Sequence, residues 1–286
     1  TVRLGFIQAV HDFAEDFLAC NNRPAPLTIQ VNTLKISPED YRRALLRAGI
    51  DFEYDERLRG CFVLSGGNVA ELPGFAEGLF YVQDRAARTA AEIAAPGQGM
   101  TVLDACSAPG GKSFAAAIRM QGKGNILSCD IHEKKLKLIS AGAERLGIDI
   151  IKTAVMDARR RDAALENSFD VVIADVPCSG LGVIAKKPEI RGKTEAEISA
   201  LPAIQRDILD NLSAYVKRDG VLLYSTCTVL RAENEDVVNA FLADDGEFAP
   251  EGFNVGGVSE PSGMHCFWPN VDGTDGFFAA KLRRIK

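Results

Sequence analysis

The sequence predicts an α/β fold: a mostly parallel, doubly wound sheet from about residue 100, preceded by a small separate α/β module. Three observations carry this. Short apolar runs alternate with helix-period segments. A glycine-rich turn joins the first run to a helix. Acids stand at the ends of four successive runs, at Asp104, Asp130, Asp157 and Asp175.

In chain order, Val2–Cys20 reads as a helix, 21–26 as a turn-rich break, and Leu27–Leu34 alternates like a strand. Ser37 can cap a helix over Pro38–Ala48. Short strands follow near Phe52 and over Cys61–Leu64, and the module closes near Gly78. Strands are then expected at 101–103, 125–129, 153–155, 169–174, 220–224 and 277–282. Helices fall at 113–120, 133–146 (closed by Gly147), 195–216 and 233–242, with Pro202 marking a break or start in the third. This gives two units: residues 1–80, and a larger domain over 81–286.

The 286 residues are 47% apolar, enough for one large domain and one small one. No apolar run reaches about 18 residues, so no membrane span is expected. The chain opens on Thr1 without a signal-peptide pattern, and further sequence is expected upstream. Seven unevenly spaced cysteines and no Cys-x-x-Cys pair argue against a disulfide framework and, with three histidines, against a zinc site. A reduced, cytoplasmic setting follows. The formal net charge of −6 disfavours a broad nucleic-acid footprint, although basic residues cluster locally, as at Lys186, Lys187, Arg191 and Lys193.

The glycine-rich turn reads Asp104-Ala105-Cys106-Ser107-Ala108-Pro109-Gly110-Gly111-Lys112. Its small residues let the backbone approach a ligand, and the helix start behind it favours a polar group. A P-loop would need glycine where Cys106 stands, and the dinucleotide pattern Gly-x-Gly-x-x-Gly is absent from the turn. S-adenosylmethionine needs no pyrophosphate cradle, only partners for its ribose and adenine at strand ends. Asp130 can accept from the ribose hydroxyls and Asp157 from the adenine amino group. Aspartates also cap turns, and for any single one that is the simpler explanation; four after four successive strands weigh against it. Two cysteines follow neighbouring strands on the same sheet edge: Cys178 in Asp175-Val176-Pro177-Cys178-Ser179-Gly180, and Cys227 in Ser225-Thr226-Cys227-Thr228.

These three motifs resemble those of the RNA 5-methylcytosine methyltransferases of the Sun family, and the stretch Lys187-Pro188-Glu189-Ile190-Arg191 is similar to their bacterial small-subunit rRNA branch, called RsmB or Fmu. Arg23-Pro24, Val31-Asn32-Thr33, Tyr81-Val82-Gln83-Asp84, Glu233-Asn234-Glu235 and Asp272-Gly273-Thr274-Asp275-Gly276-Phe277-Phe278 extend the resemblance over nearly the whole chain. It implies a Rossmann-like class I fold dependent on S-adenosylmethionine with an antiparallel last strand, a small N-terminal RNA-contacting module, and an RNA substrate, with 16S rRNA expected and tRNA the alternative. It implies Cys227 as nucleophile, Cys178 as the residue that aids product release, and Asp175 as a hydrogen-bond partner of the cytosine edge. The cofactor would meet the 106–112 loop (Cys106 through its backbone, Lys112 at the carboxylate), Asp130, Asp157 and Asp175. RNA contacts are expected from the N-terminal module and the 186–193 loop. Related bacterial proteins usually begin with a helical NusB-like domain that this sequence lacks. A non-catalytic RNA-binding or assembly factor on the same fold is the rival from another class. An adenine amino-group methyltransferase is a further rival, but its Asp/Asn-Pro-Pro-aromatic motif is broken by Asp175-Val176-Pro177-Cys178. The other five cysteines are expected to be buried or incidental, and the sequence does not assign His265 or Trp268.

The chemistry explains why a thiol is needed. Position 5 of cytosine is a poor nucleophile. Thiolate addition at position 6 yields an enamine-like adduct that can attack a sulfonium methyl, splitting one hard step into easier ones. The hydrogen at position 5 must then leave so that the thiol can be eliminated. A cysteine with its ordinary pKa of about 8.5 is mostly protonated at neutral pH, so the site must favour the thiolate.

Overall fold

The computed structural model describes residues 14–286. Of the helix expected over Val2–Cys20, residues 2–13 lie outside the described residues, and the rest belongs to α1 (Ala14–Asn21). The small module holds β1 (Leu27–Val31), α2 (Pro38–Arg47), β2 (Phe52–Tyr54), β3 (Cys61–Leu64) and β4 (Phe80–Val82). Its four strands form an antiparallel sheet in the order β2-β3-β1-β4. Ser37 accepts a hydrogen bond from the Asp40 amide, capping α2 with Pro38 in its first turn. Tyr41 and Leu45 from α2 meet Ile29, Phe62 and Phe80 from the sheet in a buried core.

The structure departs from the sequence reading at two points in this module. β1 stops at Val31 instead of Leu34, because the buried Asn32 turns inward and donates to the carbonyls of Gly78 and Leu146. β4 pairs with β1, so the small sheet runs past Gly78 and past the expected boundary at residue 80. Gly78 is itself a close-approach point. Its φ is +69°, and a Cβ there would lie 1.9 Å from the Arg145 carbonyl oxygen. Arg145 in turn donates to the carbonyls of Phe75 and Phe80.

The large sheet contains β5 (Thr101–Asp104), β6 (Asn125–Asp130), β7 (Ile151–Val155), β8 (Phe169–Asp175), β9 (Val216–Thr226) and β14 (Phe277–Arg284), running β7-β6-β5-β8-β9-β14. The first five are parallel, and β14 is antiparallel to β9 as expected. β10 (Phe248–Pro250) and β13 (Met264–Phe267) pair with opposite ends of β14, while β11 (Phe253–Val255) and β12 (Val258–Glu260) form a separate hairpin. None of these four short strands was legible in the sequence.

Residues alternate between two buried layers, as the two-residue period of strands requires. Val102, Val171, Ile173 and Leu223 face α3 (Arg85–Ala94), α4 (Gly111–Arg119) and α5 (Glu133–Leu146). Leu103, Val172, Ala174 and Leu222 face α7 (Leu201–Ser213) and α8 (Glu235–Asp244). The long helix expected over 195–216 is two helices. α6 (Glu195–Ser199) carries a Thr194–Glu197 capping box, and α7 starts afresh with Pro202 in its first turn. Val216 opens β9 instead of closing a helix, since β9 runs on to Thr226. A last short helix, α9 (Pro269–Asp272), precedes β14. The strand order reverses between β5 and β8, where open α/β sheets form a crevice beyond the carboxyl ends of the strands. Among the described residues no helix is long and apolar enough to cross a membrane.

Candidate active site

A cavity of about 730 Å³ opens at that crevice. Its walls bring together residues far apart in sequence: Asp84, Cys106, Ala108, Pro109, Lys112, Asp130, Asp157, Asp175, Lys186, Cys227, Asp275 and Phe277 among them. The loop after β5 is built from within. The Ser107 amide and hydroxyl both donate to the Cys129 carbonyl, and the Gly110 amide donates to the Ser107 carbonyl. Gly110 has a φ of 113°, and a Cβ there would strike the Phe114 ring at 2.5 Å. Ser107, Gly110 and Gly111 therefore shape the loop, while Cys106, Ala108, Pro109 and Lys112 face the cavity.

The four strand-end acids divide. Asp130, Asp157 and Asp175 line the cavity. Asp104 does not: it is fully buried and accepts from the Ser113 hydroxyl, and burial pushes its carboxyl up to about 7. Asp130 accepts the His132 amide at 2.9 Å. Asp157 accepts from the Arg159 amide and guanidinium, and those bonds hold its carboxyl below the usual range.

Asp175 is held at both oxygens. Lys112 Nζ donates to Oδ2 at 2.7 Å, and the Ser225 hydroxyl donates to Oδ1 at 2.8 Å. The Lys112 ammonium also sits 4.9 Å from the centre of the Phe277 ring. Lys112, expected at a cofactor carboxylate, is thus paired with Asp175.

The two cysteines meet. Cys227 is in the cavity wall, and its sulfur lies 3.1 Å from that of Cys178, which also receives the Cys227 amide at 3.3 Å. The surroundings of the two thiols push them in opposite directions. Contact with Cys227, burial and the nearby Glu233 carboxylate push the Cys178 thiol well up. The hydrogen bond from Cys178 pulls Cys227 down, helped by Lys112 and Lys187 and opposed by burial and Asp175. Burial pushes the thiols of Cys61, Cys106, Cys129 and Cys266 upward.

Asp84 and Asp275 stand in motifs to which the sequence assigns no role, and Lys186 is among the residues expected to meet RNA. Lys186 bridges Asp275 at 2.7 Å and Asp84 at 3.4 Å, and burial raises the Asp275 carboxyl to about 6. The signal was present in the 81–84 and 272–278 motifs, which point at each other only once folded. Lys193 donates to the Cys178 and Ser179 carbonyls, and Arg191 to the Asn21 carbonyl and the Asn22 side chain. Most of the basic run expected to meet RNA therefore anchors its own loop. His265 packs on Phe267, and Trp268 on Phe17. Among the described residues no cluster of three or more His, Cys, Asp or Glu could hold a metal.

With this geometry in view, the description of the 16S rRNA methyltransferase RsmB/F family matches residues 91–283. The chain belongs to this family. The ferredoxin-like domain described for the same family matches residues 6–70. The probable ribosomal RNA small subunit methyltransferase B of Bacillus subtilis is 36% identical over 269 residues, covering 91% of this chain and 60% of that protein. The chain thus spans about three fifths of the length of the curated relatives it matches. Among solved structures, PH0851 superposes with a TM-score of 0.91 at 32% identity, over 98% of this chain and 64% of that one. A methyltransferase homolog protein from Pyrococcus horikoshii gives 0.82 at 27%, over 94% and 90%. The fold is the Rossmann-like class I methyltransferase sheet with a small N-terminal module.

Proposed function

We propose that this family member transfers a methyl group from S-adenosylmethionine to position 5 of a cytosine in RNA, the small-subunit 16S rRNA, through a covalent adduct with Cys227. The observation that carries the reading is the thiol pair: Cys227, held below the ordinary thiol range by its bond from Cys178, shares a cavity wall with Asp130, Asp157 and Asp175. The cavity volume suits a small-molecule site. Asp130 at the end of β6 and Asp157 just beyond β7 fit a ribose and an adenine, beside the apolar Ile131 and Ile208. When bound, S-adenosylmethionine supplies an electrophilic methyl group. The chain supplies the rest. Asp175, fixed by Lys112 and Ser225, holds the cytosine edge. Cys227 Sγ bonds to C6 and drives the electron pair onto C5, which would take the methyl group as its bond to the sulfonium breaks, leaving the thioether S-adenosylhomocysteine. A base then removes the C5 proton, the C5–C6 double bond returns, and Cys227 leaves as thiolate while Cys178 assists release.

Residues 1–80 would contact RNA and 81–286 carry the chemistry, with the target base unstacked to enter the cavity. Lys187, in the wall near Cys227, is the member of the 186–193 run left for a phosphate. Such a substrate places the protein in the cytoplasm.

Cys227→Ser should abolish methyl transfer and keep cofactor binding. Cys178→Ser should accumulate an RNA–protein adduct stable to denaturing gels, and mass analysis of digested RNA should find 5-methylcytosine. An adduct that survives loss of Cys227 would reverse the two roles. Absence of S-adenosylmethionine binding by calorimetry would point to a non-catalytic RNA-binding factor.

A further inference from the structure

The Glu233-Asn234 dipeptide lies outside the reactive cavity, yet its side chains reach both cysteine loops. Asn234, fully buried, accepts from the Thr226 hydroxyl at 2.6 Å and donates to the Thr228 carbonyl at 3.1 Å, gripping the residues on either side of Cys227. Glu233, also fully buried, accepts from the Ser179 amide at 2.8 Å through Oε2. The same oxygen accepts from Gln205 Nε2 at 2.8 Å, and that amide also donates to the Pro177 carbonyl at 3.0 Å. Both neighbours of Cys178 are therefore tied to one carboxylate. A Ser179–Thr228 hydroxyl bond of 2.8 Å joins the loops directly.

Burying a carboxylate is costly unless its oxygens are fully partnered. Glu233 Oε1 has no hydrogen-bond partner, and no ion pair to Glu233 occurs among the described residues. Glutamine would supply similar contacts to Ser179 without the charge, so the retained charge needs a reason. The thiol it acts on is Cys178.

We propose that Glu233 is a positioning residue of the methyl-transfer site: its buried carboxylate fixes the Cys178 loop against Cys227 and keeps the shared proton on Cys178, leaving Cys227 free to attack. The inference rests on the two-cysteine reading above. The charged groups around the pair act in the same direction. Lys112 and Lys187 favour charge on Cys227, and Glu233 opposes charge on Cys178, with Asp175 alone working against Cys227.

The test is site-resolved alkylation of the full chain by iodoacetamide at neutral pH, read by mass spectrometry. In the parent protein Cys227 should react faster than Cys178. Glu233→Gln should lower the ratio of Cys227 to Cys178 labelling by roughly five- to tenfold, the scale of one unit charge a few ångströms away in a partly screened interior. Glu233→Asp, which keeps the charge, should hold the ratio within about threefold of the parent. A ratio unchanged in Glu233→Gln overturns the proposal, as does an equal loss in Glu233→Asp. Where Glu233→Gln does not fold, Gln205→Lys serves: it sets an ammonium against the Glu233 carboxylate, offsets the charge and must lower the ratio in the same direction, and an unchanged ratio again overturns the assignment. Because labelling requires no RNA, its outcome is independent of whether Cys227→Ser loses methylation, and the two readings fail separately.

Discussion

Gly182→Ala should disturb the active site without altering any reacting group. A Cβ at this position would stand 1.9 Å from the Gly276 carbonyl oxygen and 2.7 Å from the Gly276 Cα. Both are backbone atoms, so no side chain can swing aside. Restoring ordinary contact requires the two segments to part by about 1.5 Å. Two backbone bonds are then at risk: the Gly276 amide to the Gly182 carbonyl at 2.8 Å, and the Gly182 amide to the Cys227 carbonyl at 3.0 Å. Each contributes about 1 kcal/mol, and overpacking strain adds about 1–3 kcal/mol. A total loss of roughly 3–5 kcal/mol lowers the Tm by roughly 5–8 °C for a chain of this size. The larger effect is on rate. The same displacement moves Cys227 on one side and Phe277 on the other, and a shift of about 1 Å at reacting groups can cost on the order of 100-fold. Thermal melts and single-turnover methylation of 16S rRNA provide the assay. S-adenosylmethionine affinity should change little, since Asp130 and Asp157 follow other strands. A variant with the parent's Tm and the parent's rate would refute the described contact.

Three further outcomes are expected. Lys112→Met removes a cation from Cys227, so its thiol should titrate at higher pH and its iodoacetamide labelling at pH 7 should slow by about tenfold; labelling as fast as the parent's would contradict this. Burial raises the Asp104 carboxyl to about 7 from 3.8, so its favourable contribution is complete below about pH 4 and lost as pH rises through 7. The Tm of Asp104→Asn relative to the parent should therefore climb between pH 5 and pH 8, and a constant difference would be the contrary result. Gly78→Ala places a Cβ against the Arg145 carbonyl at a positive φ, and should cost about 2–4 kcal/mol while making residues 70–85 more sensitive to protease; an unchanged cleavage rate would argue against tight docking of the two modules there.

Local patterns were legible in the sequence because their physics is local. The alternation of runs located the parallel strands, Ser37 and Pro38 located the start of α2, and Pro202 marked the break before α7. The cysteines at the ends of two neighbouring strands met as the sheet order required. What escaped depends on partners distant along the chain. Asp104 reads like the other strand-end acids, and only the fold turns it inward to Ser113. Lys186 and Lys193 belong to the run expected to meet RNA, yet their partners are Asp84, Asp275 and the Cys178 loop carbonyls. Asn32 looks like one more strand residue until the Gly78 and Leu146 carbonyls supply acceptors. No periodicity encodes such pairs.

The position of β14 carries a consequence for synthesis. It follows every other strand of the sheet in sequence, yet lies inside it, between β9 on one side and β10 and β13 on the other. Asp275, which holds Lys186, and Phe277, which lies against the Lys112 ammonium, arrive with it. A nascent chain can already possess both cysteines and the whole 104–112 loop while its cavity still lacks a wall. The cavity therefore closes only once residues 275–284 have joined the sheet, and a chain stalled before residue 275 presents Cys178 and Cys227 without a closed chamber around them.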